Sequence, residues 1–117
     1  MDPREAAARI AELALSLPEA YEDRPFGDFP VYKVPPNKLF ALAPLDEGAV
    51  LVTLKVTPEE REVALGLPFV SVARYVGRYG WITARVSDEE SLAAALEWVR
   101  ESYWLKAPMK LRDAAWS

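Results

Sequence analysis

Apolar and polar positions alternate most cleanly between Val50 and Val56, where Val50, Val52, Leu54 and Val56 are interleaved with Leu51, Thr53 and Lys55. A period of two is that of a strand with one face in the core and the other turned away from it. Thr57-Pro58-Glu59-Glu60 follows at once and opens a helix, with Thr as N-cap, Pro at the first helical position and Glu three residues after the cap. We take Val50 to Val56 as the central strand. Trp81 to Val86 repeats its parity, with Ile82, Ala84 and Val86 facing inward and Trp81, Thr83 and Arg85 outward.

The rest of the chain arranges itself around that strand. Asp2-Pro3-Arg4-Glu5 predicts a helix start with a capping box, and Ala6, Ile10, Leu13 and Leu17 form its apolar stripe until Pro18. Glu19 to Phe29 has neither periodicity and reads as a connection, anchored by Phe26 and Phe29. Val31 to Val34 and Leu39 to Ala43 predict a hairpin around Pro35-Pro36-Asn37-Lys38, with Lys38 at its tip, and Pro44 to Gly48 turns the chain into the central strand. The second helix runs from Pro58 to about Leu65 and stops at Gly66-Leu67-Pro68. Val72 to Val76 pairs with Trp81 to Val86 in a second hairpin, or wing, around Gly77-Arg78-Tyr79-Gly80. Ser87 to Glu90 is a capping box for the third helix, whose stripe is Leu92, Leu96, Val99 and Tyr103 and which Pro108 ends; Met109 to Ser117 is a short mixed tail. The order α-βββ-α-ββ-α predicts an α+β fold, an antiparallel sheet of about five strands with helices on one face, in a single domain over residues 1–117.

Composition narrows the function by elimination. With 117 residues, 51% of them apolar, the chain can bury one real core. It has no apolar run long enough to span a membrane and no basic segment leading into an apolar stretch, so the expectation is a cytoplasmic protein without a membrane partner. Cys and His are both absent, which removes disulfides, thiolate or imidazole zinc sites and the commonest base near neutral pH. Neither Ser71 nor Ser102 stands in a nucleophile elbow. The expectation is therefore a non-enzymatic protein with no cofactor and no metal. A single Asn, no Gln, nine Arg against five Lys and ten Pro make the composition thermophile-like.

The charges are segregated although the chain is net −4. Val63 to Ser87 contains Arg74, Arg78 and Arg85 and no acid, and Ser102 to Arg112 contains Lys106, Lys110 and Arg112 and no acid. Tyr75, Tyr79 and Trp81 interleave with the first group, the pairing of cation and aromatic that phosphate contact and base stacking use. The candidate nucleic-acid-binding residues are Lys33, Lys38 and Lys55 on the first strands, and Arg74, Arg78, Tyr79, Trp81 and Arg85 on the wing. Lys110 and Arg112 in the tail complete the set. The plainer reading of the same residues is that the cations solubilise and protect sheet edges and Trp81 packs. Gly77 to Gly80 also spells the GxxG of an RNA-clamping loop, but that loop joins two helices and this one joins two strands.

Leu17-Pro18-Glu19-Ala20 with Phe26-Gly27, Lys38 to Ala41, Leu54-Lys55-Val56 before Pro58-Glu59, Tyr75 before Gly80-Trp81, and Ser102-Tyr103 with Lys110 and Arg112 together resemble the MmcQ/YjbR family over nearly the whole chain. That resemblance implies a CyaY-like fold, related in shape to frataxin, and DNA as a partner, since the two hairpins look like a double wing. Two other partners follow from the residues. The open sheet, with Trp81 amid Arg, suits a protein-interaction module, and an exposed Trp98 and Trp104 pair would make the protein a weak dimer rather than a monomer. A frataxin-like metal site would draw on Asp2, Glu5, Glu12, Glu19, Glu22 and Asp23.

Overall fold

A computed structural model describes the backbone of residues 1–116 and the side chains of residues 1–114. The central strand is β5 (Ala49–Lys55), flanked by β3 (Lys38–Leu42) and β7 (Trp81–Val86). Outside these lie β2 (Val31–Val34) and β1 (Tyr21–Asp23) on one side and β6 (Val70–Val72) on the other. The order is β1-β2-β3-β5-β7-β6, with the two-residue β4 (Leu45–Asp46) also on β5, and every pairing is antiparallel. This is an α+β fold with seven strands rather than the five expected. The two extra strands, β1 and β4, lie in segments read from the sequence as connections.

The parity of β5 and β7 sets the layers. Val50, Val52, Leu54, Ile82, Ala84 and Val86 are all fully buried in one core, together with Ala6, Ile10 and Ala14 of α1 (Pro3–Ser16) and Leu92, Ala95 and Val99 of α3 (Glu89–Lys106). The register Val50↔Val86 through Lys55↔Trp81 aligns the two inward rows, so Leu51, Thr53, Lys55, Trp81, Thr83 and Arg85 share the opposite face. No helix covers that face among the described residues. Sheet and helices are pinned by Ser102, whose buried Oγ donates to the Phe40 carbonyl at 2.6 Å and accepts from the Lys55 N–H at 3.0 Å.

Helix starts follow the expected chemistry with two corrections. Asp2 caps α1, but its carboxylate accepts from the Arg4 N–H at 2.9 Å, one residue before the position a box with Glu5 requires. The third helix is capped by Asp88 with Ser91, not by Ser87 with Glu90. The Asp88 carboxylate accepts from the Ser91 N–H at 2.8 Å, and the buried Ser91 hydroxyl accepts from the N–H groups of Ser87 and Asp88. An ionised carboxylate is the stronger acceptor, and only this register brings a second side chain back to the cap. For α2 (Pro58–Ala64), Thr57 caps as expected, accepting from the Glu60 N–H at 3.2 Å. The Thr57 N–H donates to Glu101 on α3, and Glu60 accepts from the Trp98 indole, so both acids tie α2 to α3.

Three further expectations are corrected. The wing strand expected over Val72 to Val76 is instead β6, ending at Val72, and the chain then leaves the sheet through a 3-10 turn at Gly77–Tyr79. The cause is packing: Gly77 lies so close to the Val72 side chain that a Cβ would not fit, which folds the connection back onto the end of β6. The tail is not irregular but helix α4 (Met109–Trp116), since the carbonyl of Pro108, which ends α3, accepts from the N–H groups of Leu111 and Arg112; Ser117 lies outside the described residues. Phe26 is no core anchor: it is exposed and stacks on Phe29 at 5.6 Å. Trp98 is buried, its indole bonded to Glu60, while Trp104 is partly exposed. Among the described residues no helix is long and apolar enough to cross a membrane.

Candidate functional site

The uncovered face of the sheet is concave. Its groove, about 1120 Å³, has a floor of Leu51, Thr53 and Thr83, with Leu39 and Leu42 beside them. The Thr53 and Thr83 hydroxyls bond to each other at 2.8 Å across β5 and β7, which uses one of their two O–H groups and leaves the other able to donate into the groove. Three aromatic side chains line the walls. Trp81 is nearly buried against the sheet, whereas Phe26 and Tyr75 are exposed, Tyr75 to 92%.

Tyr75 is held out by its backbone. It takes φ 65, and the Val76 N–H donates to the Arg74 carbonyl across it at 2.6 Å, a three-residue turn with an aromatic at the apex. That conformation costs an L residue about 1–2 kcal/mol. Arg74 and Tyr75 are thereby aimed from one turn toward the same groove.

Four cations, Lys38, Arg74, Arg85 and Lys106, line the groove against one carboxylate, Asp46. Arg85 is consumed: it donates to Asp46 at 2.7 Å and to the carbonyl of Glu47 at 2.8 Å, locking the turn between β4 and β5. Lys38, Arg74 and Lys106 have no ion-pair partner among the described residues. Lys106 lies over the Trp81 ring at 5.9 Å from its centre. Burial pushes its pKa down, and the charges of Lys55 and Lys38 push it further the same way. A cluster of cations that repel one another is a place where an anion is stabilised.

The remaining candidates divide. Lys55, Arg78 and Tyr79 line a neighbouring pocket of about 890 Å³, reached past the cross-strand pair Lys55 and Trp81. Arg78 rests on the Tyr79 ring, 4.9 Å from its centre. Lys33 is almost buried and bonds to Asp23 and Asn37, both at 2.8 Å, so it holds β1 to β2 and the hairpin turn. Arg112 donates to the carbonyls of Ala107 and Leu105, closing the end of α3, and lies over Trp104. Lys110 is exposed on α4 and lines neither cavity. Sequence reasoning passed over Phe26, Tyr75 and Lys106 as site residues. Two of the three carry a signal, since Lys106 sits in an acid-free segment and Tyr75 interleaves with Arg74 and Arg78, while nothing in the sequence around Phe26 marks it. Among the described residues no group of three or more acids is placed to hold a metal ion.

Solved structures with the same fold include a Deinococcus radiodurans protein, DR2400, described as carrying a DUF419 domain. It is 21% identical, with a TM-score of 0.74 over 85% of this chain and 76% of that one. A Pseudomonas syringae protein solved by structural genomics is 19% identical, with a TM-score of 0.66 over 86% of this chain and 97% of that one. No curated protein matches. The family model for YjbR covers residues 15–105, from the end of α1 through every strand and nearly all of α3, and the chain belongs to the YjbR family.

Proposed function

We propose that this YjbR domain, which we read as CyaY-like, is a binding module rather than an enzyme and takes single-stranded nucleic acid on the open face of its sheet. The observation that carries the reading is the groove itself: on a chain of net charge −4, it gathers four cations against one carboxylate around three aromatic side chains. Single strands are held by that combination, with cations tracking the phosphates and rings stacking on the bases. A duplex is the poorer fit, because the wing that would enter its groove is a folded-back 3-10 turn and not a projecting hairpin.

Three free cations contacting three phosphates predict a log–log salt slope of about −2 for a single strand. Tyr75→Ala, which removes the most exposed ring of the groove, should cost single-strand affinity by about 1–3 kcal/mol while leaving that slope unchanged, whereas loss of the buried Trp81 should lower the melting temperature. A second reading has its own observation: Phe26, Val72 and Tyr75 are exposed apolar groups at the groove, which suits a protein partner. Binding to an apolar protein surface would depend little on salt, so fluorescence anisotropy with a labelled oligonucleotide across a salt series separates the two.

A further inference from the structure

The pocket beside the groove holds positive charge that the fold leaves unanswered. Lys55, Arg61 and Arg78 all line it, and none has an ion-pair partner among the described residues. Glu62 is the single acid in the lining. The Arg61 Nε is buried with no hydrogen-bond partner, and the same guanidinium makes one long bond, 3.4 Å, from Nη2 to the Gly77 carbonyl. A half-buried guanidinium with an unspent N–H is costly, and a bound anion offsets that cost. Arg78 lines the same pocket, carried by the 3-10 turn whose Gly77 carbonyl Arg61 reaches, and rests on the Tyr79 ring. Gly80, at φ 91, ends that turn beside Lys55 and contributes no side chain to fill the space between them.

We infer that this pocket binds a terminal phosphate, so that the domain recognises the phosphorylated end of a strand. The inference rests on the single-strand reading of the groove. Lys55 and Trp81 are cross-strand partners, and Leu105, which lines the pocket, directly precedes Lys106 over the Trp81 ring. A strand whose end runs along the groove past Lys106 and the buried Trp81 therefore brings its terminal phosphate to the mouth of the pocket. A phosphomonoester carries more charge than an internal phosphodiester and three oxygens able to accept from separate donors. Two arginines and a lysine around one cavity match that valence.

The test compares one short single strand in three forms, with a 5′-phosphate, with a 3′-phosphate and with hydroxyls at both ends. The wild-type chain should bind one of the phosphorylated forms about tenfold tighter than the hydroxyl form, the yield of one charge-assisted contact set. The double variant Lys55→Gln, Arg78→Gln alters solvent-reaching side chains and should erase that advantage while still binding the hydroxyl form. Equal affinity for all three forms overturns the end site and leaves the groove reading standing. An advantage that survives in the double variant also overturns it, because the phosphate must then sit elsewhere. Failure of every form to bind at low salt removes the groove reading and the end site with it.

Discussion

Replacing Ser102 by Ala tests how the open face is built. In the antiparallel register β3 meets β5 only at Ala41↔Leu54 and Leu42↔Thr53. The next rung would join Phe40 to Lys55, and the Ser102 hydroxyl stands between them, accepting from the Lys55 N–H and donating to the Phe40 carbonyl. Ser102 is fully buried, so no water takes its place when the hydroxyl is removed. Each orphaned backbone group costs about 1–3 kcal/mol, and allowing for partial closure of the strands we take about 2–4 kcal/mol in total. For a chain of this size one kcal/mol is worth about 4 °C, so the melting temperature should fall by about 8–16 °C. Ser16→Ala is the control, because the Ser16 hydroxyl also makes a 2.6 Å bond to a carbonyl, that of Leu13, but in an exposed position. Thermal melts read the stability, and amide hydrogen exchange should show the Lys55 N–H losing protection. A drop no larger than that of the control would refute the bridge and mean that the two strands close directly across the gap.

Three other outcomes are expected. Asp88→Ala should lower the melting temperature while Ser87→Ala leaves it unchanged, and Thr57→Ala should cost about 1 kcal/mol, all read by thermal melts. The carboxyls of Asp23 and Asp88 are held below the usual range, Asp23 chiefly by the hydrogen bond from Lys33 and Asp88 chiefly by the one from Ser91. The unfolded chain takes up those protons first, so their contribution is complete above the ordinary carboxylate pKa and is lost as pH falls through the folded values; Asp23→Asn and Asp88→Asn should each flatten that acid limb in pH-dependent melts. Gly80→Ala should destabilise by about 1–2 kcal/mol, because an L side chain must then adopt φ 91.

Much of the fold could be read from residues whose environment is periodic. β5 and β7 alternate strictly and are buried on one face only, so their parity, their pairing and the identity of the open face were legible. β1 was not, since Tyr21-Glu22-Asp23 is a polar edge strand held by the Asp23 bond to Lys33, ten residues away. α4 is not legible because Pro108 reads as a stop, although its carbonyl also starts the next helix. The wing strand reads four residues too far, to Val76 rather than Val72, because a contact between Gly77 and Val72 decides where the chain leaves the sheet. The site failed in the same way. Lys33, Arg85 and Arg112 look like any other cations in sequence, and tertiary structure alone supplies Asp23, Asp46 and two helix-end carbonyls to engage them. Lys38, Arg74 and Lys106 are left to the groove because, among the described residues, no acid pairs with them.

The most direct test of the account is single-strand binding across a salt series for the wild-type chain and for the triple variant Lys38→Gln, Arg74→Gln, Lys106→Gln. Wild type should bind at low salt with a log–log slope of about −2, and the triple variant should lose both most of the affinity and most of the slope. No binding by the wild-type chain at low salt, or a slope that the triple variant leaves unchanged, would contradict the assignment of the open face to nucleic acid.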